Sequence, residues 1–93
     1  MIRERDIEAY LKKRVKEAGG EYRRVSWLGR NGAPDDFVML NGGHWTECKA
    51  PGEKPKPHQL REHELMNSRG IPVYVLDSFM AVDRFIGKIT RNV

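Results

Sequence analysis

The chain has 93 residues, with 17 lysines and arginines against 13 aspartates and glutamates, for a net charge of +4. That length predicts one domain, residues 1–93, and the composition excludes a collagenous, mucin-like or coiled-coil chain. The single cysteine, Cys48, excludes a disulfide framework and a multi-cysteine zinc site within one chain.

The charged start of the chain has no apolar segment of signal-peptide type, and no run of about 18 apolar residues follows. The expectation is an intracellular, cytoplasmic protein with no membrane partner. A helix is predicted over Arg3 to Ala18, where Ile7, Leu11, Val15 and Ala18 form one stripe and Gly19-Gly20 stops it. Tyr22 to Leu28 alternates and predicts a strand. Phe37-Val38-Met39-Leu40 has no polar side, which predicts a strand covered on both faces. Asn41-Gly42-Gly43 is a hairpin signal, because these residues tolerate positive φ. His44 to Lys49 is then the return strand. Pro57 opens a helix to about Ser68, and Gly70 ends it. Ile71 to Leu76 predicts a buried strand, and Ser78 caps a last helix near residues 79–87. The order α-β-β-β-α-β-α implies an α/β fold, a small mixed sheet flanked by helices.

One stretch concentrates chemistry. Successive strand side chains alternate faces, so Glu47 and Lys49 point the same way, roughly 6.5–7 Å apart. Trp45 shares that face, while Thr46 and Cys48 take the other. The hairpin returns Glu47 and Lys49 to the end of the sheet where Asp35 enters. Two carboxylates suit a hard divalent cation such as Mg²⁺, and the backbone carbonyl of Cys48 can add an oxygen. Such a cation polarises a phosphoryl oxygen and acidifies water. A neighbouring lysine stabilises negative charge on phosphorus. In the first helix, Glu4 falls inside the arc of the apolar stripe and Glu8 at its edge, so either can be a further acid. Gln59, His63 and Met66 share a face of the second helix. His58 and His63 are five residues apart, and no H-E-x-x-H zinc motif exists.

These residues resemble the PD-(D/E)xK nuclease superfamily, specifically its virus-type replication-repair nuclease (VRR-NUC) group of stand-alone phage or bacterial type. The motifs are Gly32-Ala33-Pro34-Asp35, Glu47-Cys48-Lys49-Ala50-Pro51-Gly52, Pro55-Lys56-Pro57-His58-Gln59 and Gly70-Ile71-Pro72-Val73-Tyr74-Val75-Leu76-Asp77. The resemblance implies a restriction-endonuclease-like core and Mg²⁺- or Mn²⁺-dependent phosphodiester hydrolysis. It implies Asp35 and Glu47 as metal ligands, helped by the Cys48 carbonyl and by Glu4 or Glu8. Lys49 is the implied catalytic lysine and Gln59 the helix glutamine beside it. The alignment favours Asp35 over Asp36 as the acid that faces the metal. Stand-alone members are expected to act as homodimers on branched DNA such as Holliday junctions, with Trp27, Phe79 or Phe85 available to an interface. Arg30, Lys54, Lys56 and Arg61, with Arg23 and Arg24, are the candidates for phosphate contact without base readout. No organic cofactor is expected. The competing expectations are a nuclease for linear, flapped or single-stranded nucleic acid, and a non-catalytic nucleic-acid-binding module.

Overall fold

The first helix, α1 (Glu4–Glu17), forms where the apolar stripe predicts it in the computed structural model, which describes residues 1–91. The Arg3 N–H donates to Asp6 Oδ2 at 2.7 Å and satisfies one of the free donors at the helix start. Ile7, Leu11 and Val15 are fully buried. Ala18, the last member of the predicted stripe, is exposed beyond the helix end. Gly19 then takes φ 89°, which closes the helix as a left-handed cap.

Four strands follow the order β1-β2-β3-β4 across one sheet. They are β1 (Glu21–Arg24), β2 (Asp36–Met39), β3 (Gly43–Cys48) and β4 (Val73–Leu76). The first two pairings are antiparallel and β3 pairs β4 in parallel. That parallel step requires a crossover, which carries α2 (Pro57–Ser68). The last helix is α3 (Phe79–Thr90), and Ser78 Oγ accepts from the Ala81 N–H at 3.0 Å. The element order is the predicted one. No described helix is long and apolar enough to cross a membrane.

One face of the sheet builds the core. Val38, Cys48 and Leu76 meet Ile7, Leu11 and Val15 of α1 and Val82, Phe85, Ile86 and Ile89 of α3. Each buried aliphatic side chain contributes about 1.5–3 kcal/mol. The hairpin between β2 and β3 has Asn41 at φ 53° and Gly42 at φ 106°, and the Asn41 side chain donates to the Ile89 carbonyl at 2.8 Å. The turn is therefore tied to α3.

Three strand expectations are corrected. β1 ends at Arg24, not Leu28, because the chain leaves the sheet after the Val25 N–H donates to the Asp35 carbonyl. β2 is covered on one face only: Val38 is buried, but Met39 is exposed. β4 is the sheet edge, and Val75 is exposed. Of the residues proposed for an interface, Phe85 is buried in the core.

Candidate functional site

Strand register decides which side chains meet. Asp36 pairs Thr46 and Phe37 pairs Trp45. Continuing by one pair sets Asp35 opposite Glu47, on the sheet face away from α1. Lys49 follows Glu47 on that face, and its N–H extends the parallel ladder to the Leu76 carbonyl at 2.9 Å. Glu47 and Lys49 are both buried. The structure thus brings Asp35, Glu47 and Lys49 to one place.

Asp36 goes elsewhere. It is 1% exposed on the α1 side of the sheet. It accepts a hydrogen bond from the Tyr22 hydroxyl and lies 3.8 Å from Arg24 Nε. Burial still holds its carboxyl above the ordinary range, against the pull of Tyr22 and Arg24. Cys48 also points to this side, where burial and the charge of Asp36 push its thiol up, so the thiol is inert.

Glu47 is the centre of the site. Its Oε2 faces Gln59 Nε2 at 3.5 Å. Gln59 is oriented for this, because its Oε1 accepts the Lys56 N–H at 2.9 Å at the start of α2. Glu47 Oε1 is buried without a hydrogen-bond partner, and so is His63 Nε2, 3.8 Å away. Burial first, and the charge of Asp35 second, push the Glu47 carboxyl up to about 7. Lys49 opposes that rise, while Asp36 and Glu4 add to it. His63 is held below its ordinary value by burial and by Lys49, so it is neutral near pH 7.

The two helix acids differ in placement. Glu4 is exposed and its charge reaches Glu47. Glu8 is engaged by the Arg24 guanidinium. Arg30, Lys54, Lys56 and Arg61 are all exposed. Arg30 and Arg61 line a groove of about 460 Å³ with Asn31 and His58, between the β1–β2 loop and α2. Lys54 and Lys56 precede α2.

The donor set fits a hard divalent cation. A buried carboxylate oxygen without a partner is costly, and a cation held by Glu47 and Asp35 would supply the missing contact and offset their repulsion. Among the described residues no three His, Cys, Asp or Glu side chains cluster in metal-binding geometry. Two carboxylates with water, backbone and phosphate oxygens are the way Mg²⁺ is usually held.

No family model matches the chain. A protein of Acyrthosiphon pisum secondary endosymbiont phage 1 named "Putative nuclease p44" is 51% identical over 81 residues, covering 84% of this chain and 86% of that protein. A solved structure described as a VRR_NUC domain superposes with a TM-score of 0.82 at 42% identity, covering 92% of this chain and 96% of its own. The chain belongs to the VRR-NUC family.

Two features of this VRR-NUC site were not assigned from sequence. His63 lies one helical turn after Gln59, and that spacing was the available signal. The second is Glu62, buried in α2 and paired with the Arg30 guanidinium from the β1–β2 loop. This pair helps hold the loop that leads into Asp35. Gly32 completes the fit: at φ 81°, a Cβ there would lie 2.5 Å from the His58 carbonyl oxygen. Arg30→Ala leaves Glu62 without its partner. It is expected to lower the urea unfolding midpoint, whereas Lys54→Ala should change little. Equal midpoints for the two variants would refute the pinning role.

Proposed function

We propose that this VRR-NUC protein is a DNA endonuclease that uses Mg²⁺ or Mn²⁺, prefers branched DNA such as Holliday junctions, and acts as a homodimer. The observation that carries the proposal is the unpartnered, buried Glu47 Oε1 on the same sheet face as Asp35 and Lys49. Glu47 and Asp35 would hold the cation, with the Cys48 carbonyl and Glu4 as further candidate oxygens. When bound, the cation supplies Lewis-acid polarisation of the scissile phosphate and acidifies the attacking water.

The protein's own part is orientation and charge. Gln59, fixed by the Lys56 N–H, keeps the Glu47 carboxylate aimed along the sheet face. Lys49 sets an ammonium beside the reacting phosphate, where negative charge grows during hydrolysis. Neutral His63 closes the buried side of Glu47 without adding charge. Arg61 and Lys54 can bind backbone phosphates on either side of α2. Each chain carries one acid pair, so paired cuts across a junction need two copies.

A cleavage panel tests this. Four-way junction, flap, linear duplex and single strand are incubated with Mg²⁺, Mn²⁺ or EDTA. Junction cleavage dependent on metal, with a dimer mass by light scattering, is expected. Cleavage that persists in EDTA, or a monomer that prefers linear duplex, overturns the metal or the junction assignment respectively.

A further inference from the structure

Beside the acid pair, the same sheet face carries three aromatic rings that hydrolysis does not use. Phe37 and Trp45 are cross-strand partners one step from Asp35 and Glu47. Their ring centroids are 4.7 Å apart. Trp27, from the β1–β2 loop, lies against Trp45 at 5.0 Å, and its Nε1–H donates to the Pro34 carbonyl at 2.8 Å. The rings are anchored yet only half-buried. Gly43 leaves room for the Phe37 ring: a Cβ there would sit 2.5 Å from Phe37 Cζ. Next to Trp27, Leu28 is 98% exposed. Fixed aromatic rings left open, flanked by a bare leucine, mark a binding surface rather than a core.

Charge and spacing select the occupant. Arg23 is the cross-strand partner of Phe37 and is exposed, with its guanidinium paired to Glu21 Oε1 at 3.0 Å. The acid pair lies one two-residue step along β2 and β3 from these rings, roughly 6.5–7 Å away, and Lys49 one such step further along β3. A flat, neutral group whose own phosphate reaches the acid pair matches this arrangement. We infer that Trp27, Phe37 and Trp45, whose planes are tilted by 47° and 53°, offer a ring face as a stacking platform for one unstacked DNA base whose phosphate lies at Asp35 and Glu47. This rests on the proposed nuclease function and names its substrate class: DNA with an unstacked nucleotide at the cut. A base inside continuous duplex is covered on both faces by its neighbours, whereas a junction, flap or single strand offers one face free. Leu28 extends the platform as a wedge against the next base.

The chain has two tryptophans, and both are in this cluster, so intrinsic fluorescence reports on it directly. The protein is titrated in EDTA with labelled single-stranded oligothymidine and with a labelled long linear duplex, following anisotropy and tryptophan emission together. Single strand is expected to quench the emission, and duplex to bind without quenching. Trp45→Leu should weaken single-strand binding about fivefold or more. Leu28→Ala, which removes no buried contact, should weaken it in the same direction without touching stability. Single-strand binding that leaves the emission unchanged, or two folded variants that bind as wild type, overturns the platform. The two failures are separable. Quenching with no cleavage of any substrate in Mn²⁺ overturns the nuclease function alone. Metal-dependent cleavage without quenching overturns the platform alone.

Discussion

Lys49→Ala is expected to lower the single-turnover cleavage rate by at least about a hundredfold while the protein stays folded. The first cause is the loss of the ammonium that faces developing charge on phosphorus. The second acts through Glu47. Lys49 is the group that opposes the upward push on the Glu47 carboxyl from burial and from Asp35. Without it, Glu47 keeps its proton to higher pH, and a carboxylic acid is a poor ligand for a hard cation. Metal affinity of the variant, measured by calorimetry, should therefore recover as pH rises, while the cleavage rate at saturating metal should not. Recovery of both would reduce Lys49 to a modulator of Glu47. A variant that cuts as fast as wild type would remove Lys49 from the mechanism altogether.

Glu47→Gln should abolish cleavage and yet make the metal-free protein more stable. The folded-state pKa of about 7 lies above the ordinary 4.5. Between these values the folded protein holds a proton that the unfolded chain has released. The contribution of Glu47 to metal-free stability is therefore fully present below pH 4.5 and is lost as pH rises through 7. A shift of this size corresponds to on the order of 3 kcal/mol at pH 8. The amide has the same shape and no charge to bury, so the loss disappears. Its melting temperature at pH 8 in EDTA should exceed wild type by about 10 °C or more, and the gap should close near pH 4.5. Added Mg²⁺ should raise the melting temperature of wild type and not of the variant. Equal or lower stability of the variant at pH 8 would mean that Glu47 is not held under electrostatic strain.

Much of this was legible in local chemistry. The α1 stripe, the Asn41-Gly42 turn, Pro57 at a helix start and the Ser78 cap each act within a few residues, and each formed as expected. The shared face of Glu47 and Lys49 followed from a two-residue period, and the turn placed Asp35 at the same end of the sheet; that Asp35 and not Asp36 joins their face needed the strand register. What was not legible depends on partners far along the chain. Val25 and Trp27 alternate like a strand, but the Trp27 ring is claimed by Trp45 and its N–H by Pro34. Ile71 to Leu76 is apolar enough for a central strand, and only the sheet order makes β4 an edge. Arg30 reads as a surface cation until α2 folds back and presents buried Glu62. His63 was placed on the correct helix face, but its neighbour Glu47 comes from another strand.

The alternation along β3 has a consequence for how this domain can change. Glu47 and Lys49 serve the reaction, and Cys48 between them serves the core. A deletion of one residue within β3 would exchange these tasks at a stroke, sending a carboxylate into the apolar layer and a thiol into the cleft. Folding and catalysis are thus read in one frame. Such an indel cannot drift through a folded but inactive intermediate, because the same slip destroys both. The hairpin turn and the ladder it sets must keep their length for the same reason.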